Sequence, residues 1–287
     1  MKNVGFIGLG NMGFFMSKNL ACNDFEVEGY DINQDVFLKL KEFNIKQKNS
    51  IEEICERKDV IITMLPNGKV VNEVWSLLLK SLKPGTLLVD CSTIDIETTK
   101  VLHGMAKDRE VLSLDAPVSG GTIGAEKGTL TFMVGGKEDA YNQMRPLFDV
   151  MGNKSILCGE AASGQATKMC NNLVLAITMF GLGEAIKLAN SQSLNMEKFY
   201  EVLSTSTASC WALNNYTPIK GVGAQSPADN DFKPGFSSQL MLKDLSLALS
   251  AANNSNINLD FGNRILEKFK KHVNDKKGHL DFSDIIN

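Results

Sequence analysis

Val4-Gly5-Phe6-Ile7-Gly8-Leu9-Gly10-Asn11-Met12-Gly13, continued after one helix-length of chain by Glu26-Val27-Glu28-Gly29-Tyr30-Asp31, is the stretch that decides the fold. Residues 3 to 7 are apolar and strand-like, and the run from Gly13 to about Ala21 reads as a helix, so the GxGxxG pattern lies between a strand and a helix. Glycines there permit a tight turn, close approach of the backbone to a pyrophosphate and close helix packing, while the helix N-terminus offers N–H groups to the anion. Asp31 ends the second strand about 20 residues beyond the glycines, the place from which a carboxylate accepts hydrogen bonds from a ribose. It would repel a 2′-phosphate, and no arginine follows in Ile32-Asn33-Gln34, so NAD is expected over NADP. The competing reading makes Asp31 a cap for the next helix.

Outward from this stretch the alternation continues. Ser50-Ile51-Glu52-Glu53 has the form of a capping box. Asp59 to Pro66 reads as a strand stopped by proline, Val70, Val71, Val74, Trp75 and Leu78 keep helical spacing, and Thr86 to Asp90 is a further buried strand. Val111–Leu114, Thr129–Val134 and Lys154–Leu157 add three strands, with a helix from about Glu138 to Val150. Strands alternating with helices predict a parallel, doubly wound, Rossmann-type α/β sheet. Ligands on such sheets bind beyond the carboxyl ends of the strands, which places Met64-Leu65-Pro66 and Ser92-Thr93 along a cofactor cleft, an ordinary turn role being the competing reading for Ser92. In Asp115-Ala116-Pro117-Val118-Ser119-Gly120-Gly121, consecutive N–H groups could cradle a small carboxylate, or the segment is simply a turn.

From Gly164 to Asn190 the chain is long, mostly apolar and free of proline, and predicts a helix buried on most of its circumference. Lys168 and Asn172 are four apart, on one face and separated by about 6 Å of rise. A lysine in the interior is a functional candidate; at the margin it would bury its stem and keep its head in water. Beyond this helix the strand alternation stops. Met196–Leu203, capped by Asn195, Ser238–Ala252 and Phe261–Val273 predict an all-α second domain, giving domains 1–162 and 163–287 joined by the long helix. Asn214 to Phe236 lacks a period and is expected to flank a pocket. Within Leu240–Leu247, Asp244 reads as half of a surface ion pair, and Lys243 stays open.

The composition bounds the rest. Of 287 residues 22% are charged, with a net charge of −3, which supplies no basic field for nucleic acid. The uncharged run Leu173–Gly183 is shorter than the roughly 20 residues of a bilayer helix. The N-terminal residues lack an export signal, and the six scattered cysteines suit reduced thiols better than disulfides or zinc. A soluble, cytoplasmic protein with no metal site is expected.

Four motifs, FIGLGNMGFFMSKNL (6–20), DAPVSGG (115–121), GQATKMCNN (164–172) and LMLKDL (240–245), stand in this order, and together they resemble the β-hydroxyacid dehydrogenase family over the whole chain. The segment from Cys210 to Asp244 is most similar to the 3-hydroxyisobutyrate branch. The resemblance implies a catalytic Lys168 with Asn172 orienting substrate. It also implies a carboxylate loop at Ser119, Gly120 and Gly121, substrate contacts at Trp211, Phe236 and Lys243, and cofactor contacts at Gly8, Leu9, Gly10, Asn11, Met12, Gly13, Asp31, Met64, Leu65, Pro66, Thr93 and Lys243. The activity implied is NAD-dependent oxidation of 3-hydroxyisobutyrate to methylmalonate semialdehyde in valine catabolism, by a homodimer or homotetramer. Siblings acting on serine, tartronate semialdehyde or succinic semialdehyde are the alternative, and a non-catalytic nucleotide-binding module is the alternative of another class. One departure is Phe15, where the family commonly has proline inside the helix start.

Overall fold

The computed structural model describes residues 2–287. Strand β1 (Asn3–Ile7) leads into helix α1 (Gly13–Ala21), and β2 (Glu26–Tyr30), α2 (Val36–Leu40), β3 (Lys46–Gln47) and α3 (Ile51–Ile54) follow. Next come β4 (Val60–Thr63), α4 (Gly68–Ser81), β5 (Leu87–Asp90), α5 (Ile96–Asp108) and β6 (Leu112–Asp115). Then β7 (Val118–Ser119), α6 (Gly121–Lys127), β8 (Leu130–Gly136), α7 (Glu138–Met151) and β9 (Gly152–Gly159) complete one sheet in the order β3-β2-β1-β4-β5-β6-β8-β7, with β9 paired to β8.

Its first six strands are parallel, and the central ones, β1, β4 and β5, are buried on both faces by the alternation of their own residues. Val4 and Phe6 of β1, Val60 and Ile62 of β4, and Leu87 and Val89 of β5 enter one core with Met16 and Leu20 of α1. Ile7, Ile61 and Leu88 point the other way, onto Val71, Trp75 and Leu78 of α4. Helices on both faces make these strands continuous apolar runs. The sheet is not wholly parallel, however: β8 runs antiparallel to β6 and β7, because the short β7 and α6 turn the chain back without a crossover. Ser50 caps α3 by accepting from Glu53 N, but the Glu53 carboxylate takes Asn49 N, so the reciprocal half of a capping box is missing there. Phe15 packs half-buried beside Phe14, edge to face, in place of the proline.

The second part is helical: α8 (Ser163–Ser191), α9 (Met196–Thr205), α10 (Trp211–Tyr216), α11 (Ser238–Asn254) and α12 (Asp260–His272). Two compact units emerge, one ending at Lys168 and the other Met169–Asn287, so the division falls inside α8. This helix is less enclosed than its composition predicts. One stripe, Gln165, Lys168, Asn172, Ala176, Met179 and Ile186, is buried, while Val174 and Leu188 are exposed. At 29 residues it has the length and apolarity of a membrane span, but three polar residues on its buried stripe are the pattern of a core helix.

The stretch 214–236 is more ordered than its lack of period suggests. It contains the end of α10 and a 3-10 turn, Pro227–Asn230, with a full capping box between Ser226 and Asp229. Asp281, fully buried, accepts from Tyr216 Oη (2.8 Å), Gly235 N (3.0 Å) and Phe236 N (3.1 Å) and fastens the segment to the C-terminal residues.

Candidate functional site

The carboxyl ends of β1, β2, β4 and β5 assemble the first half of the site. Gly8 has φ +89°, and a Cβ there would lie 2.2 Å from Met64 O; a Cβ on Gly13 would lie 1.9 Å from Gly8 O. No side chain but hydrogen fits at either position. Gly10 is exposed, and its Cβ would meet nothing within 4 Å, so the floor is tight and its rim open. Helix α1 starts at this rim with no side-chain cap and no acidic residue in its first turn, leaving its N-terminal end suited to an anion. These residues fit a dinucleotide pyrophosphate.

Asp31 does not cap α2, whose N-cap is Asp35. Its Oδ2 accepts Leu9 N at 2.6 Å and its Oδ1 accepts Asn33 N at 2.8 Å, which ties the end of β2 to the glycine loop. Asn11 is exposed and Met12 half-buried on the same loop, while Met64, Leu65 and Thr93 are half-buried and Pro66 exposed.

Beneath them lies a buried polar network. Trp75 Nε1 donates to Thr63 Oγ1 (3.1 Å), and Thr63 Oγ1 (2.8 Å) and Ser92 Oγ (2.6 Å) both donate to Asp90 Oδ1. Ser92 Oγ in turn accepts Leu65 N at 2.8 Å. Ser92 is therefore more than a turn residue: its hydroxyl fixes the backbone of the Met64-Leu65-Pro66 loop. Burial pushes the Asp90 carboxyl up to about 6, with the negative Asp115 adding to the rise and the bonds from Ser92 and Thr63 opposing it.

Asp115, from the DAPVSGG motif, acts at a distance of 50 residues. Its Oδ1 accepts Ala162 N (2.8 Å) and its Oδ2 accepts Gln165 N (2.9 Å), so a buried carboxylate caps the 29-residue α8. His103 Nε2 lies 3.1 Å from Asp115 Oδ1, and Ser113 Oγ 2.7 Å from His103 Nδ1. Ser119, Gly120 and Gly121 bridge the end of β7 and the start of α6, with Gly120 exposed at the turn.

Lys168 is 8% exposed and Asn172 2% exposed, which places the lysine inside and not at a wet helix margin. Asn172 Nδ2 donates to Asp244 Oδ2 at 2.6 Å, and Lys243 Nζ pairs with Asp244 Oδ1 at 3.1 Å. The reading of Asp244 as a surface charge is overturned: it is 3% exposed and holds Asn172. Its position could have been read from α11, where Met241, Leu245, Ala248 and Ala252 are buried and Asp244 lies on their stripe. Half-buried Phe236 and 53%-exposed Trp211 belong to an aromatic ladder, Trp211–Tyr216–Phe282–Phe236, with centroid separations of 5.2, 5.5 and 5.9 Å.

Residues 3–159 match the model of the NAD-binding domain of 6-phosphogluconate dehydrogenase. Residues 162–287 match the model described as NAD-binding of NADP-dependent 3-hydroxyisobutyrate dehydrogenase. The probable 3-hydroxyisobutyrate dehydrogenase of Mycobacterium tuberculosis is 40% identical over 286 residues, covering 100% of this chain and 97% of the relative. The chain belongs to the β-hydroxyacid dehydrogenase family. It is accordingly a nicotinamide-dependent oxidoreductase, with the Rossmann-type sheet and helical second part of that family. The mitochondrial 3-hydroxyisobutyrate dehydrogenase of Drosophila melanogaster is 39% identical, over 98% of this chain and 87% of that one. A solved structure of the Mycobacterium tuberculosis 3-hydroxyisobutyrate dehydrogenase with L-serine superposes with a TM-score of 0.95, covering 100% of this chain and 98% of that one.

Proposed function

We propose that this chain oxidises the primary alcohol of 3-hydroxyisobutyrate to methylmalonate semialdehyde, with NAD as acceptor. The observation that carries the reading is Lys168, buried on the same face of α8 as Asn172, in a chain whose first unit carries a dinucleotide cradle. The bound nicotinamide supplies the hydride-accepting carbon. The chain supplies the other half of the chemistry: Lys168 Nζ holds the substrate hydroxyl, takes its proton as the C–H hydride departs, and returns that proton to solvent. In this reading the N–H groups of Ser119, Gly120 and Gly121 take the substrate carboxylate, and Asn172, braced by Asp244, helps to orient the substrate.

Asp31 supports the choice of NAD. Its oxygens are held by Leu9 N of the glycine loop and by Asn33 N just beyond β2, and an acidic side chain at that position disfavours a 2′-phosphate. Exposed Val174, Leu188 and Phe261 on the second unit support self-association as a homodimer or homotetramer, checked by sedimentation.

Lys168→Ala tests the assignment. NADH formation from 3-hydroxyisobutyrate should be abolished while NAD binding is kept, and near-normal turnover would refute it. L-serine, which the Mycobacterium tuberculosis relative carries in its solved structure, is also a 3-hydroxy acid and is the second substrate to assay, followed by glycerate.

A further inference from the structure

Gln165 is fully buried, and both ends of its amide are engaged. Its Nε2 donates to Ser92 O at 2.7 Å and its Oε1 accepts Ile94 N at 3.1 Å. The two partners are the neighbours of Thr93, so one side chain grips the loop on both sides of a residue at the cofactor rim. The same residue's backbone N–H is bound by Asp115 Oδ2. Three positions further along α8 stands Lys168, about 4.5 Å of rise away.

We propose that Gln165 is a positioning residue: it sets the distance between the Ser92-Thr93-Ile94 loop and Lys168. This rests on the role given to Lys168 above. An amide is the one uncharged side chain of this length that can donate to a carbonyl and accept from an N–H at once. Leucine fills the same space but leaves a buried carbonyl and a buried N–H unpaired, and the loop and the first turn of α8 then part. Displacements near 1 Å cost on the order of 100-fold in turnover when they separate reacting groups. A residue that served packing alone would change stability and leave the kinetics in place.

The test compares Gln165→Leu and Gln165→Glu with the wild type, reading kcat, KM for NAD, thermal midpoint and the pH dependence of kcat. Gln165→Leu should lose about 100-fold in kcat with little change in KM for NAD. Gln165→Glu carries an internal control. Ionised, it accepts from Ile94 N but repels Ser92 O; protonated, it donates to Ser92 O as the amide does. Burial, with Asp90 and Asp115 in the same network and His103 beside Asp115, keeps the introduced acid protonated to higher pH than a free one. The ratio of its kcat to that of the wild type should therefore rise as pH falls, a rescue that loss of packing does not produce. The proposal is overturned if both variants keep wild-type kcat, or if Gln165→Leu is merely less heat-stable and the Gln165→Glu ratio stays flat with pH. Lys168→Ala, assayed alongside, separates the two questions: turnover in that variant defeats the role of the lysine, whereas a dead Lys168→Ala with kinetically normal Gln165 variants defeats only the positioning.

Discussion

Asp90 makes the stability of the first unit depend on pH in a direction opposite to that of most carboxylates. Its side chain is fully buried, Oδ2 has no hydrogen-bond partner, and desolvation raises it from the ordinary 3.8 to about 6. A raised carboxyl binds its proton more tightly in the folded than in the unfolded chain. Its contribution is fully present below about 3.8 and is lost as pH rises through about 6. The whole span is about 3 kcal/mol, and the titration curve places about 1.4 kcal/mol of it between pH 5 and pH 8. Asp90→Asn removes the titration while leaving an oxygen for Thr63 and Ser92 to donate to; whatever its buried NH2 costs is independent of pH. The informative quantity is the gap between wild type and Asp90→Asn, measured by urea unfolding at pH 5, 6, 7 and 8. Relative to the variant, the wild type should lose about 1.4 kcal/mol from pH 5 to 8, or roughly 3–6 °C in thermal midpoint. A gap that stays constant across this range would refute the raised carboxyl, and with it the view that Ser92 and Leu65 are held by a group that changes charge near neutrality.

Asp31→Ser should lower kcat/KM with NAD by about tenfold, through loss of a charged acceptor, and raise the relative use of NADP; an unchanged NAD-to-NADP ratio would make Asp31 a brace of the glycine loop alone. Asp244→Ala leaves the Asn172 amide without its buried acceptor and should cost about 1–3 kcal/mol of stability as well as most of the turnover. Asp244→Asn, which keeps an acceptor, should retain more of both, and equal losses in the two variants would deny Asp244 its hold on Asn172. Asp281→Ala unpairs the Tyr216 hydroxyl and the N–H groups of Gly235 and Phe236 and should cost upwards of about 2 kcal/mol, with KM for the hydroxy acid rising more than KM for NAD. Parallel rises in the two KM values would show that the 214–236 segment does not touch substrate.

What could be read from the chain was what the chain does locally. Gly13 is dictated by a contact with Gly8 five residues before it, and the alternation of Val4, Phe6 and Ile7 between two cores is written in the order of side chains. The antiparallel turn of β8 was not legible, because apolar period fixes which face a strand buries and says nothing of its direction. β3, β7 and α10 have two, two and six residues, too few to show a period. Asp115 is an acid in a turn until the chain brings Gln165 to it from 50 positions away. The error at Asp244 was of another kind: an adjacent Lys-Asp pair looks solvated, but Asp244 stands three residues after Met241 and four before Ala248, the helical spacing that puts it on the buried side.

The stripe along α8 explains why these scattered polar residues belong together. Gln165, Lys168 and Asn172 continue without change of spacing into Ala176, Met179, Gly183 and Ile186. The geometry of the stripe is uniform, but its chemistry changes after Asn172. Apolar side chains at these positions would pack as well or better, and a leucine at any of them would satisfy the period equally well. Instead Gln165 and Asn172, which flank Lys168, are each matched by partners brought from another element: Ser92 and Ile94 at Gln165, Asp244 at Asn172. Buried polar groups held this way cost stability relative to a well-packed apolar replacement but leave little freedom in where they point. The first ten residues of α8 thus exchange stability for a fixed lysine, and the apolar remainder anchors the helix in the second core so that the exchange does not unfold it.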